Sequence, residues 1–217
     1  MKFSNLFFDL DGTLIDSKRG IFNAVKYTID KMGLPEADRP YDLNPFIGPP
    51  LRESFKNLFN FSDSVAETAT SIYREYYGDK GLYEFDIYPG ISKIIPELSS
   101  RGFLISLVTS KAEIYAEKII NSTSFKDCFN TISGCEINGL RSSKQELIKY
   151  TLHKLKINPS EAVLMIGDRY HDIQGAKNTG ISSAAVLYGY GSKEELEKEL
   201  PDILIPTTSD LLSLLCQ

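Results

Sequence analysis

The sequence predicts an α/β protein, a parallel sheet clothed by helices with a helical cap inserted after the first strand, and three observations predict it. Apolar runs of strand length fall at residues 6–8, 104–108, 163–166, 184–187 and 203–205, each bounded by turn or polar residues. Between them lie helical patterns with legible ends. Residues 16–88 break this rhythm, carrying helical periodicity but no strand. Strands that alternate with helices form right-handed βαβ units, so the sheet is expected to be parallel, Rossmann-like and buried on both faces. Functional groups then belong at the carboxyl ends of the strands.

Taken in order, the first run ends in Phe7-Phe8-Asp9-Leu10-Asp11-Gly12-Thr13, and Asp16 and Ser17 stand as hinge residues where the insert opens. Ile21, Val25, Ile29 and Met32 recur at helical spacing, and Gly33-Leu34-Pro35 ends that helix. The stretch 44–50, with Pro45, Pro49 and Pro50, reads as a stiff loop that cannot be helical. Val65, Ala69, Ile72 and Tyr76 mark the buried stripe of a later helix, and Tyr73, Tyr76 and Tyr77 read as cap core rather than as a base-stacking platform. Tyr88-Pro89-Gly90 returns the chain to the sheet. Ser143 with Glu146, and Ser192 with Glu195, have the spacing of capping boxes, while Gly102 and Gly180 sit where helices would stop. The expected division is a catalytic core of 1–15 and 89–217 and a cap of 16–88.

Composition narrows the function classes. The 217 residues, 42% hydrophobic, suffice for a sizeable core. With 24 Lys+Arg against 29 Asp+Glu, a net charge of −5 and no basic run longer than Lys18-Arg19, no nucleic acid is expected as a partner. Cys128, Cys135 and Cys216 form no CxxC pair, which argues against a disulfide framework or a structural zinc site and for a reducing cytoplasm. No apolar run approaches the ~18 residues of a membrane span, and Asp9 comes too early for a signal peptide, so a cytoplasmic protein with no membrane partner is expected.

The chemistry lies at the strand ends. Asp9 and Asp11, two residues apart at the mouth of a buried strand, suit metal binding or acid and base work, although Asp11-Gly12 is also a common turn. A second acidic cluster, Asp168 with Asp172, follows residues 163–166, and Asp172 could equally cap the next helix. Four carboxylates cannot converge without a cation, and hard oxygen donors of this kind suit Mg²⁺. Thr109 and Ser110, after residues 104–108, offer hydroxyls and backbone amides at an expected helix N-terminus, suited to an anion. Lys144 lies just inside the helix opened by Ser143, where an ammonium could hold a phosphoryl oxygen and a carboxylate; a solvated surface lysine is the plainer reading.

Asp9-Leu10-Asp11-Gly12-Thr13, then Thr109, then Lys144, then Gly167-Asp168 with Asp172, resemble in order the four motifs of the haloacid dehalogenase superfamily of phosphohydrolases. The insert resembles that superfamily's helical cap, and the nearest subgroup is that of the phosphoglycolate phosphatase-like proteins. Many relatives place a proline after the third-motif lysine where this chain has Gln145, so Lys111 stands as a rival to Lys144. The resemblance implies a Mg²⁺-dependent hydrolase of a small phosphorylated metabolite. Asp9 would be the nucleophile forming an aspartyl-phosphate and Asp11 the acid and base; Thr109 and Lys144 would stabilise the phosphoryl group, with Ser110 and Gly12 alongside. Mg²⁺ would be held by Asp9, Asp11 through its carbonyl, and Asp168, with Asp172 supporting them. Arg52, aimed by the loop before it, would meet a carboxylate or second phosphate of the substrate, or else pair with a surface acid. A phosphomutase, a pyrophosphatase and, from another class, a phospho-accepting signalling module use similar residues. Monomer and dimer both stay open.

Overall fold

The computed structural model describes residues 3–137, 141, 143–160 and 162–215. Cys216 lies outside them. In chain order the elements are β1 (Asn5–Phe8), β2 (Ile15–Asp16), α1 (Lys18–Lys31), α2 (Leu51–Phe59), α3 (Asp63–Asp79), β3 (Asp86–Ile87), α4 (Ile91–Ser100), β4 (Leu104–Ala112), α5 (Glu113–Asn121), β5 (Phe129–Cys135), α6 (Lys144–Leu155), β6 (Val163–Gly167), α7 (Tyr170–Thr179), β7 (Ser182–Val186), α8 (Lys193–Lys198), β8 (Ile203–Ile205) and α9 (Thr208–Leu215). The chain divides into one unit of Met1–Asp16 with Ile87–Gln217 and another of Ser17–Asp86.

The first unit is a six-stranded parallel sheet in the order β5-β4-β1-β6-β7-β8. Its helices flank the sheet, giving the α/β, Rossmann-like fold. Leu6, Phe7 and Phe8 are wholly buried, as a central strand covered on both faces must be. One face packs Phe7, Val163 and Met165 against Leu147, Leu152 and Ala176 of α6 and α7. The register fixes the site: Phe8 lies opposite Leu107 on one side and Ile166 on the other. Residues just beyond these three positions therefore emerge together at one sheet edge.

β5 carries no local signal of a strand. Its Thr131-Ile132 pair is flanked by Asn130, Ser133 and Gly134, so no period of two is visible. Pairing with β4 makes it a strand, and where the register shifts between Ile105 and Ser106, the Asn130 side chain accepts from Ile105 N at 2.8 Å. The same pairing corrects a second expectation. β4 does not stop at Val108 but runs through Thr109, Ser110 and Lys111 to Ala112, which pairs with Cys135 across a further register shift. Thr109 and Ser110 thus sit in strand, and the helix behind them begins at Glu113.

Both expected serine caps form. Ser143 and Glu146 make the full reciprocal box on α6, while Ser192 accepts from Glu195 N on α8. The Glu195 carboxylate is engaged elsewhere, accepting from Arg169 Nε at 2.9 Å and Tyr170 N at 3.0 Å. Gly180 ends α7 at φ 76°, a left-handed cap.

The second unit is helical, its core an aromatic cluster in which Phe46 meets Phe55 edge-on at 4.8 Å and Tyr73 stacks on Tyr77 at 5.3 Å. Tyr73 and Tyr77 are core, but the α3 stripe is displaced by one residue from the one expected. It runs through Ala66, Ala69, Thr70, Tyr73 and Tyr77, and Val65 is exposed. Its buried face carries Ala66, Ala69 and Thr70 as well as two tyrosines, of which Tyr73 meets Phe55 of α2 edge-on, and periodicity of large residues does not reveal such a stripe. Residues 44–50 are not wholly free of helix either: Asn44–Phe46 form one 3₁₀ turn, which Pro45 tolerates because the first residues of a helix need no N–H partner.

Candidate active site

The turn after β1, the end of β4, the first turn of α6 and the segment after β6 carry the first unit's candidate residues at the carboxyl edge of the sheet. Asp9 follows β1 and is buried, its N–H donating to Ile166 O at 2.9 Å. Lys144, at the first turn of α6, is buried as well, and its Nζ donates to Asp9 Oδ1 at 2.8 Å and to Val108 O at 2.9 Å. A third oxygen, Asp172 Oδ1, lies 2.8 Å from the same nitrogen. An ammonium has three hydrogens, and here it has three oxygen neighbours. Lys144 is therefore the lysine at Asp9, not a solvated surface residue. Lys111, its rival, reaches Asp11 instead, with Nζ 2.8 Å from Oδ2. The other Asp11 oxygen is buried without a hydrogen-bond partner in the structure.

Asp168, wholly buried after β6, has both oxygens fixed. Thr13 Oγ1 donates to Oδ1 at 3.3 Å and Tyr190 N to Oδ2 at 2.8 Å. Asp172 caps α7, accepting from Arg169 N at 3.1 Å while its second oxygen faces Lys144. Thr109 is buried, and its hydroxyl accepts from Lys111 N at 3.2 Å. The Ser110 carbonyl accepts from Cys135 Sγ at 2.9 Å. Gly12 turns the chain at φ +84°, and a Cβ there would stand 2.1 Å from Asp168 Oδ2, so that position excludes any side chain. Arg52 belongs to the helical unit, where Asp63 takes its guanidinium at 2.6 Å with Glu53 and Glu67 at 3.5 and 3.6 Å. Its place there is that of a residue paired with cap carboxylates.

Loop 188–191 escaped the sequence reading. Tyr190 supplies the N–H on Asp168, Tyr188 Oη donates to Thr13 O at 3.0 Å, and a Cβ on Gly189 would lie 2.3 Å from both Asp168 Cβ and Gly12 O. The available signal was Tyr188-Gly189-Tyr190-Gly191 directly after an apolar run, a glycine-rich strand end of the kind that lets backbone approach a site closely.

The electrostatics follow from crowding. Burial, reinforced by Asp172 and Asp11 against the opposing pull of Lys144, pushes the Asp9 carboxyl up to about 6. Burial, then Asp9 and Asp172, holds Asp168 well above the usual carboxylate range. Burial alone would lower Lys144, but Asp172 and Asp9 together hold its ammonium above the ordinary lysine value. Asp9, Asp168 and Asp172 each offer an oxygen within 4.8 Å of the others, and the Lys144 ammonium reaches two of them, Asp9 and Asp172. An all-oxygen donor set short of positive charge fits a hard divalent cation such as Mg²⁺. Asp172 is turned to Lys144 and to its helix, and Asp9 and Asp168 are the other two carboxylates of that cluster.

Among the described residues no helix is long and apolar enough to cross a membrane. The family model of the haloacid dehalogenase-like hydrolases matches residues 6–186. Of curated proteins, a 5′-nucleotidase of Pseudomonas aeruginosa is 37% identical over 201 residues, 93% of this chain and 90% of that protein. Pyrophosphatase PpaX of Bacillus cereus is 30% identical over 215 residues, 99% of this chain and 97% of its own length. Among solved structures, that of a predicted phosphatase from Clostridium acetobutylicum superposes with a TM-score of 0.89 at 34% identity, covering 99% of this chain and 98% of that one.

Proposed function

This chain belongs to the haloacid dehalogenase-like hydrolase family, and on that footing we propose that it hydrolyses a small phosphate monoester through an aspartyl-phosphate formed on Asp9. The observation that carries the reading is the Lys144 ammonium seated on Asp9 beside Asp168. It keeps a buried carboxylate anionic and aimed, as a nucleophile must be. In the first step an Asp9 oxygen bonds to phosphorus, the ester bond breaks, and Asp11 gives its proton to the leaving oxygen. In the second, Asp11 takes a proton from water as its oxygen attacks phosphorus; inorganic phosphate leaves and Asp9 is restored. Lys144 and Thr109 stabilise charge on the transferring group, with Ser110 and the Gly12 backbone lining its approach. Asp9, Asp168 and the Asp11 carbonyl would hold Mg²⁺. That cation would neutralise the phosphoryl oxygens and offset the repulsion between substrate and the three acids.

The family and the relatives support a substrate class, compounds bearing a phosphoryl group, for this chain is similar to a 5′-nucleotidase and to a pyrophosphatase. A small cytoplasmic metabolite bearing such a group is the proposed substrate, phosphoglycolate being the subgroup's example. Arg52, held by three cap carboxylates, is a weaker candidate for the substrate's far end than the sequence suggested.

The test is phosphate release from the full chain over 2-phosphoglycolate, nucleoside 5′-monophosphates, a hexose phosphate, pyrophosphate and p-nitrophenyl phosphate. Release should require Mg²⁺, should vanish in excess chelator, and should recover poorly with Ca²⁺, whose longer bonds and higher ligand number suit this transfer badly. Full activity in chelator would remove Asp9 and Asp168 from metal binding. An isomerised product without free phosphate would establish a mutase instead. Release from pyrophosphate alone would replace the monoesterase reading.

Asp11→Asn should slow leaving-group departure by about 10² to 10⁴-fold, the usual worth of a positioned proton donor. Single-turnover kinetics with p-nitrophenyl phosphate and with a poorer leaving group report this, and the loss should be larger for the poorer one. An unchanged rate for both would take Asp11 out of the acid role.

A further inference from the structure

Asp168 is oriented from two sides, and the two sides are themselves joined. Thr13 Oγ1 reaches one oxygen and Tyr190 N the other. Tyr188 Oη holds Thr13 O at 3.0 Å, so loop 188–191 is fastened to the turn after β1 on either side of the carboxylate. Tyr190 has a further bond: its phenol donates to Asp16 Oδ1 at 3.0 Å. Asp16 is the last residue of the first unit before the chain enters the helical one, and the returning chain is pinned beside it where Tyr88 N donates to Leu14 O at 3.1 Å. Only proline would remove a backbone N–H, and its ring would disturb the loop as well, but the position of that N–H depends on where the residue's side chain is anchored. The anchor here is a phenol–carboxylate bond, a hydrogen bond to a charged acceptor and so among the stronger kinds.

We propose that Tyr190 is a positioning residue for the metal-holding Asp168, its N–H aiming the carboxylate and its phenol fixing that N–H by way of Asp16. The inference rests on the proposed role of Asp168 and deepens it. Partners that orient a metal's ligands matter nearly as much as the ligands, and losing one costs about 10 to 100-fold in metal affinity. The phenol acts through one intervening residue, so the low end applies. It also ties the aim of Asp168 to Asp16, the last residue of the first unit before Ser17.

The experiment is a binding titration of Mn²⁺, followed by electron paramagnetic resonance, on the full chain as wild type, Tyr190→Phe, Asp16→Ala and the double variant. Tyr190→Phe keeps the ring and removes only the phenol oxygen. Both single variants should raise the Mn²⁺ Kd about tenfold, and the double variant should be no worse than either. That non-additivity would show that both act through one bond. Asp16→Ala also deletes a charge, and if that alone weakened the cation the two losses would multiply. In turnover, the Mg²⁺ needed for half activation should rise while kcat at saturating Mg²⁺ stays near wild type, a split that a loss of folding would not produce. Asp16→Asn, which keeps an acceptor, should fall between wild type and Asp16→Ala and serves if the alanine variant folds poorly. Multiplying losses, or a Tyr190→Phe Kd within about twofold of wild type, would overturn the proposal. Failure of the wild type itself to bind Mn²⁺ would count instead against the metal role of Asp168.

Discussion

Asp9→Asn is expected to abolish phosphate release while leaving the protein as stable as the wild type or more so. The amide nearly matches the carboxylate in shape but is no anionic nucleophile, and removing the nucleophile of a covalent mechanism costs on the order of 10⁴ to 10⁶-fold in kcat. The stability half of the expectation comes from the charge balance. Three buried carboxylates face one ammonium, and burial has already pushed Asp9 up to about 6. An acid whose folded pKa lies above its unfolded value binds its proton more tightly when folded, so its ionisation costs stability as pH rises through that interval. At neutral pH the ionised Asp9 therefore opposes folding, and asparagine removes the opposition. Lys144 keeps Asp172 and Val108 O as partners in the variant. Thermal unfolding read beside phosphate release checks both halves. Turnover within about tenfold of wild type, in a folded variant, would end the covalent mechanism.

Lys144→Met should be damaging in both respects. Methionine can replace the apolar stem but not the ammonium, so Asp9, Asp172 and the Val108 carbonyl lose their shared donor at once. Breaking a buried ion pair by removing one partner costs about 3–5 kcal/mol, because a charge is left buried and uncompensated. Loss of one preorganised donor to the transferring phosphoryl group should lower kcat by about 10² to 10³-fold besides. The stability loss should depend on pH in a stated direction. Without Lys144, nothing opposes the burial and repulsion that raise Asp9, and protonation is the relief that remains. The deficit should be smaller near pH 5 than near pH 8, and Mg²⁺ should recover part of it by binding the folded state. Lys111→Met is the control: its partner Asp11 is partly exposed, so a smaller and less pH-dependent loss is expected. A Lys144 variant no less stable than the Lys111 variant would mean that the buried ammonium is not what neutralises the acids.

Much of the architecture could be read from local signals. β1, β6 and β8 announce themselves by apolar composition. The Ser143 box and Gly180 stop are short-range hydrogen-bond patterns written in neighbouring residues. Asp9 and Asp168 were legible because each directly follows a buried strand, with Asp11 and Asp172 a few residues on, and a parallel sheet brings such ends to one edge. The α3 stripe was misplaced by one residue, since Ala66 and Thr70 are buried yet carry little hydrophobic signal.

What the sequence determined by itself was where β1 and β6 end, and hence which carboxylates could meet. What only the tertiary structure decided was who neutralises whom: Lys144 on Asp9, Lys111 on Asp11, Arg52 among cap acids, and Tyr190 behind Asp168. Lys144 lies 135 residues from Asp9, and Tyr190 22 from Asp168. A lysine on a helix's first turn is indistinguishable in sequence from a solvated one. Its partner is fixed by strand register and helix packing, which are properties of the folded chain as a whole. Likewise β5 exists because β4 supplies an edge to pair with, a long-range hydrogen-bond pattern for which Asn130, Ser133 and Gly134 carry no local preference.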